Sequence, residues 1–399
     1  MTTLEQFAPA VPSLARAESL RIGLVAGETS GDQLGADLIT SLRERFPAAE
    51  FFGMAGPRML AAGCHALAHV DQLNVMGLVE IIRHYPRLRA LRKSLAADIL
   101  ARSPHVVIGI DVPDFALWIE ARAKASGALA VHYVCPQVWA WRPGRIPGIA
   151  RAVDLILALF PFEVSFLQGH GISAVHVGHP LADRIPAAPD RSHYRALLGL
   201  PPNGPLVALM PGSRRQEVAR LADLFLAAGL RLAARQPDVH FVLGAVGPDA
   251  AAFLEARRLA VAPQLAVSIV QRQATEALLA ADAALVASGT VTLEAALCGT
   301  PSVVAYRLAP LSYWWLRRLV TVPHVALPNL LLDQRLFPEF LQEAATPDAL
   351  AGALEHWLVD EAAHRACQTK LAGLHAQLAR QAGRRAAEAI EAALLARTP

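Results

Sequence analysis

A chain of 399 residues is too long to fold around one compact core, so two or three domains are expected. Hydrophobic residues make up 54% of it and aromatics only 6%, yet no apolar run reaches the roughly 20 residues that a bilayer-spanning helix needs. With 37 basic against 34 acidic side chains the formal charge is +3, too small to argue for nucleic acid as a partner. Residues 1–20 contain Glu5, Pro9, Pro12, Arg16 and Glu18 and no apolar centre, so they read as a flexible lead rather than a secretory signal. Cys64, Cys135, Cys298 and Cys367 lie far apart without metal-ligand spacing, which suits reduced thiols in the cytoplasm.

From residue 21 onward, strand-like apolar runs alternate with helical patterns. Arg21–Ala26 is the first, ending in a Gly-rich turn; Glu50–Gly53 is the second. His105–Ile110 follows a helix rich in Leu and Arg, and Leu129–Val134, Leu155–Ala158 and Ala174–Val177 come next. Continuous apolar strands separated by helices indicate a parallel sheet covered on both faces. The pattern stops in the Pro-rich stretch at Pro186–Pro189 and restarts with Leu206–Met210, Val239–Leu243, Val267–Val270, Ala283–Val286 and Ser302–Ala305. The expected architecture is α/β: two Rossmann-like domains, 21–190 and 191–347, facing across a cleft that receives the loops from the strand ends. A helical C-terminal segment is expected over 348–399.

Most of the chemistry-bearing residues sit where strands end. After the first strand, Gly27–Gly35 offers a backbone that a ligand can approach and a helix start with free N–H groups, with Ser30, Gly31 and Asp32 as contacts. An ordinary turn capped by Ser30 or Asp32 is the structural alternative. At the end of the very apolar third strand, Asp111 is placed to act as a general base; the structural alternative is that Asp111 or Asp114 caps the following helix, Asp114 being the better cap candidate. Trp139, Trp141 and Arg142 follow another strand and could wall a sugar or acyl chain, or simply pack. In the second half, Gly212, Ser213 and Arg214 form a Gly-Ser turn with a guanidinium at a helix start, a diphosphate cradle. Ser288, Gly289 and Thr290 repeat the device, with Glu294 placed to accept hydrogen bonds from a ribose. Asn329 is one amide in an apolar run, where local backbone satisfaction is the plain alternative. Val75, Met76, Leu78, Ile81 and Ile82, followed by Arg83, Arg87, Arg89, Arg92 and Lys93, suit either a helix dipping into an anionic leaflet or one packed on the sheet. His170, His176 and His179 lack acidic or thiol companions, so no metal site is read there.

The motifs AGETSGD (26–32), FGMAGPRM (52–59), VMGLVE (75–80), IDVPDF (110–115), HYVCPQVWAWR (132–142), FPFE (160–163), VGHP (177–180), MPGSR (210–214), ASGT (287–290), YR (306–307) and LPNLL (327–331) stand in one order along the chain. In these the chain resembles the lipid-A-disaccharide synthases, GT-B glycosyltransferases, over almost all of residues 21–385. The resemblance implies an inverting transfer from UDP-2,3-diacylglucosamine to 2,3-diacylglucosamine 1-phosphate, giving a β-1,6 disaccharide and UDP. It implies Asp111 as the essential acid, Arg214 as the essential arginine, Asn329 as a residue tied to activity, and Ser288, Thr290 and Glu294 as nucleotide contacts. It also implies no cofactor or tightly held metal, membrane and acyl contact through Val75–Ile82, attachment at the inner membrane surface, and a homodimer that exchanges C-terminal segments. The rival readings are another UDP-sugar GT-B enzyme, such as a UDP-N-acetylglucosamine epimerase or the murein undecaprenyl transferase, a non-catalytic nucleotide-sugar-binding protein, or a dinucleotide oxidoreductase.

Overall fold

The structure, a computed structural model, describes residues 19–73, 78–141, 143–307 and 322–397, with the side chains of 78–85 outside that description. The chain divides into two units, 1–180 with 381–399, and 181–380.

The first unit runs β1 (Arg21–Ala26), α1 (Thr29–Arg45), β2 (Glu50–Ala55), α2 (Pro57–Ala61), β3 (Cys64–His69), α3 (Leu78–Leu100), β4 (Val106–Ile110) and α4 (Pro113–Ala125). It continues with β5 (Leu129–Tyr133), α5 (Ile146–Ala152), β6 (Leu155–Ala158), α6 (Pro161–Gln168) and β7 (Ala174–His176). All seven strands are parallel, in the order β3-β2-β1-β4-β5-β6-β7. Every residue of β4, β5 and β6 is buried, as helices on both faces of a parallel sheet require. Proline opens α2, α4 and α6, where its missing N–H costs nothing and its fixed φ suits the first turn.

The second unit takes up the chain in α7 (Pro180–Arg184) and α8 (Arg191–Leu197), then β8 (Leu206–Met210), α9 (Arg215–Ala233), β9 (His240–Ala245), α10 (Pro248–Val261), β10 (Val267–Gln271) and α11 (Ala274–Ala280). After these come β11 (Ala283–Ala287), α12 (Thr290–Leu297), β12 (Ser302–Tyr306), α13 (Leu327–Leu332), β13 (Glu339–Leu341), α14 (Pro347–Val359) and α15 (Glu361–Leu378). Its strands are again all parallel, ordered β10-β9-β8-β11-β12-β13. Along α9, Val218, Leu221, Phe225 and Leu232 fall on one buried face, and such side chains contribute about 1.5–3 kcal/mol each. Thr346 and Asp360 cap α14 and α15 by accepting the N–H groups of Ala349 and Ala363.

The division between units comes earlier than the Pro-rich break at 186–189. His375 of α15 donates its ring N–H to the carbonyl of Ile185 at 2.9 Å, which ties the residues just before that break to the second unit. The C-terminal helices are also shared out. The last helix, α16 (Ala382–Leu395), returns to the first unit and lies on α1, where Arg45 Nε meets Glu391 at 2.8 Å. Beyond its end, Arg397 pairs with Asp154 at 2.9 Å.

Candidate active site

In the first sheet the strand order reverses between β1 and β4, and ligands of open α/β sheets bind outside the strand carboxyl ends at such a reversal. The loops leaving β1 and β4 touch there. A Cβ on Gly27 would lie 2.4 Å from Cγ1 of Val112, so the AGETSGD turn can pack on the Asp111 loop only with glycine at 27. Ser30 is exposed in the first turn of α1, and Gly31 is buried beneath it. Asp32 turns inward. Its oxygens accept the N–H groups of Gly56 at 2.9 Å, Arg58 at 2.9 Å and Met59 at 3.0 Å, satisfying the otherwise orphaned donors at the start of α2. The carboxylate therefore ties AGETSGD to FGMAGPRM.

Asp111 follows the last residue of β4, half-buried, and donates its N–H to Tyr133 at 2.9 Å. Asp111 and Val112 both take left-handed backbone conformations, with φ of 57° and 42°. Neither is glycine, so each costs on the order of 1–3 kcal/mol that the surroundings must offset. Oδ1 of Asp111 accepts the N–H of Val112 at 2.9 Å, which orients the carboxylate over the start of α4. Asp114, in the first turn of α4, is exposed and pairs with Arg145 at 2.6 Å.

Trp139 is half-buried. Its indole N–H reaches Glu163 at 3.2 Å, and its ring stands edge-on to Phe162 at 4.9 Å. Glu163 is buried, and desolvation pushes its carboxyl up to about 8, against the opposing pull of donors such as the Phe160 N–H and the Trp139 indole. Burial likewise raises the neighbouring Cys135 thiol. Because folding holds a proton on Glu163, its contribution to stability is complete below the ordinary carboxylate value of 4.5 and is lost as pH rises through about 8. Urea midpoints should fall between pH 5 and 8, and Glu163→Gln, which stays neutral, should flatten that slope; an unchanged slope would place the Glu163 proton elsewhere. Arg142, Val75 and Met76 lie outside the described residues, as do the side chains of Leu78, Ile81 and Ile82 on α3.

The second sheet reverses its order between β8 and β11, and the loops leaving these strands are MPGSR and ASGT. Gly212 and Gly289 both carry a positive φ, of 115° and 137°, at the turns into α9 and α12. Ser213 and Thr290 are exposed, and the Arg214 side chain is 83% exposed, meeting Glu217 at 3.0 Å. Glu217 also accepts the N–H of Arg214, at 3.4 Å, tying the first turn of α9 back to its N-terminal end. Ser288 donates to the carbonyl of Val325 at 3.3 Å. Glu294, one turn into α12, accepts the Thr275 hydroxyl, and burial raises its carboxyl above the ordinary range.

Asn329 is fully buried. Its amide donates to Phe337 O at 2.8 Å and Glu339 Oε1 at 2.9 Å, and its carbonyl accepts Phe337 N–H at 2.8 Å. Glu339 in turn accepts the N–H groups of Val325 and Ala326, so these bonds brace the segment to which Ser288 is anchored. Asn329 stands in a recognisable motif, whereas Glu339 and Thr275 carry no motif of their own. Asn329→Ala strands these buried partners and should cost about 2–3 kcal/mol in denaturant unfolding. A loss below about 1 kcal/mol would show that water replaces the amide.

A family model described as lipid-A-disaccharide synthetase matches residues 22–394. The lipid-A-disaccharide synthase of Alkalilimnicola ehrlichii is 50% identical over 376 residues, covering 94% of this chain and 98% of its own. That of Pseudomonas aeruginosa is 46% identical over 374 residues, covering 94% and 98%. The chain belongs to the lipid-A-disaccharide synthase family. As a member of this family it is an enzyme, a glycosyltransferase, and the epimerase and binding-protein readings are not favoured. Solved structures bear on the fold alone. The UDP-GlcNAc 2-epimerase of Neisseria meningitidis bound to UDP-GlcNAc aligns with a TM-score of 0.62 at 13% identity, over 94% of this chain and 100% of that one. The calicheamicin glycosyltransferase CalG4 aligns with 0.58 at 16% identity, over 96% and 100%. The synthase fold is therefore GT-B, with two parallel-sheet Rossmann-like domains and C-terminal helices, as the sequence led us to expect.

Proposed function

We propose that the chain condenses UDP-2,3-diacylglucosamine with 2,3-diacylglucosamine 1-phosphate, yielding the β-1,6-linked lipid A disaccharide 1-phosphate and UDP. The observation that carries this reading is Asp111, a half-buried carboxylate on a strained turn at the sheet reversal, in a chain half identical to a lipid-A-disaccharide synthase. In the proposed step the acceptor 6-hydroxyl attacks the anomeric carbon, its proton passes to Asp111, and the bond to UDP breaks with inversion from α to β. Arg214, with the helix starts behind Gly212, Ser213, Gly289 and Thr290, neutralises the departing diphosphate. Ser288 supports that turn, Glu294 accepts the ribose hydroxyls, and Asn329 fixes the segment behind them. Ser30, Gly31, Trp139 and Arg142 contact the acceptor, while Asp32 holds the turn of Ser30 and Gly31 in place.

The purified chain, incubated with the donor alone and with donor plus acceptor, should release UDP and form a product of disaccharide mass only when both are present. UDP release or epimer formation from the donor alone would defeat this reading.

Both substrates carry acyl chains, so the proposal includes work at the inner membrane surface. No helix among the described residues is long and apolar enough to cross a bilayer. Contact through Val75, Met76, Leu78, Ile81 and Ile82, with the cations that follow, is supported by their sequence pattern. Val75→Ser/Leu78→Ser/Ile81→Ser should lower partitioning onto anionic vesicles by at least about tenfold while the protein stays folded. Unchanged partitioning would return this segment to the core. A homodimer with exchanged C-terminal segments is also proposed, in which the partner's α16 takes the place on α1 that this chain's own α16 fills; mass by light scattering tests it.

A further inference from the structure

We propose that Glu120 and His132 form a buried clamp that holds the Asp111 turn in its working geometry. The proposal rests on the reading of Asp111 as the base. Glu120 lies in α4 and His132 in β5; both are fully buried, with His132 Nδ1 at 2.8 Å from Glu120 Oε1. The same Oε1 accepts the N–H of Gly109 at 3.0 Å, and Gly109 is the register partner of His132 in the sheet.

These contacts close a circuit. The chain leaves β4 through Ile110, turns at Asp111 and Val112, and enters α4 at Pro113. The Glu120 carboxylate then reaches back from α4 to the strand two residues before Asp111, while Asp111 N–H is held by Tyr133, the neighbour of His132. The left-handed turn is thus fixed on both sides. Residue 109 has to be glycine for the carboxylate to come so close, since a Cβ there would lie 2.1 Å from Oε1.

Stability alone is a poor account of this pair. Glu120 Oε2 and His132 Nε2 are buried without a hydrogen-bond partner. Buried polar atoms are nearly always paired, and a buried polar pair that leaves atoms orphaned is a weak source of stability. What an apolar pair cannot do is accept the Gly109 N–H and so set the position from which the Asp111 turn departs. Glu120 and His132 touch no reacting atom in this scheme; they are positioning residues.

The test compares Glu120→Met/His132→Leu with Glu120→Gln in the disaccharide assay, following kcat, KM and Tm. The apolar pair loses an acceptor for the Gly109 N–H, so it should lower Tm modestly while staying folded, leave both KM values within about twofold and lower kcat by about ten- to a hundredfold, the scale of a misplaced reacting group. Glu120→Gln retains the acceptor for Gly109 and His132 and should keep kcat within about threefold of native. In an Asp111→Asn background the apolar pair should lower the residual rate by less than about twofold, because the clamp acts through Asp111. Native kcat in the folded apolar pair overturns the clamp, as does a Gln variant impaired as badly as that pair. Should the double variant fail to fold, the clamp stands or falls by Glu120→Gln and by Glu120→Met alone, with the same expected rates. Asp111→Asn measured alone keeps the two ideas apart: full activity there sinks the base, whereas an inactive Asp111→Asn beside a fully active apolar pair sinks only the clamp.

Discussion

Asp111→Ala should lower turnover by about two to four powers of ten, the range a positioned general base supplies, and leave donor binding nearly unchanged. The backbone makes the choice of replacement matter. Residue 111 sits at φ 57°, where alanine is strained and asparagine is comparatively at ease. The alanine variant also loses the acceptor for the Val112 N–H and should be less stable by about 1 kcal/mol. Asp111→Asn keeps that bond through its carbonyl and removes the base, so it should match the alanine variant in rate while holding the native Tm. Agreement of the two rates with separation of the two stabilities is the signature of lost proton transfer rather than a collapsed turn. Either variant turning over at the native rate removes Asp111 from the role.

The sheets were legible because their strands are apolar without interruption. β1, β6 and β8 begin and end where the runs Arg21–Ala26, Leu155–Ala158 and Leu206–Met210 do. Two strands escaped notice, and both are edges. In β3 only Cys64 is buried, so its residues carry no buried-strand pattern, and β13 is three half-buried residues, too short for any periodicity. The same limit separates local from distant partners at the site. The turns at Gly27, Asp111, Arg214 and Ser288 could be found because a strand end, a glycine and a helix start are local signals. The engagement of Asp32 with the start of α2, of Asn329 with Phe337 and Glu339, and of Glu120 with Gly109 depends on which segments the fold brings together. The C-terminal helices make the point on a larger scale. α14, α15 and α16 each announce a buried face, but only the structure tells which unit that face covers.

Arg214→Ala should lower kcat by about a hundred- to a thousandfold, the loss that follows removal of one donor from developing charge. The protein itself should hardly notice. The guanidinium is 83% exposed and its ion pair is with Glu217 on the same helix end, and exposed pairs of this kind contribute about 0–1 kcal/mol. A large rate effect without a shift in Tm therefore identifies a group kept for a ligand. Arg214→Lys restores the charge without the planar fork and should recover only part of the rate if the diphosphate is gripped bidentately. Glu217 supplies the internal control. Glu217→Gln retains an acceptor for the Arg214 N–H but weakens the hold on the guanidinium, so it should affect turnover far less than Arg214→Ala. Equal losses in the two would mean that the Glu217 hold on the helix start, rather than the arginine's reach toward UDP, is what the reaction needs; unaltered kinetics in Arg214→Ala would remove the diphosphate contact altogether.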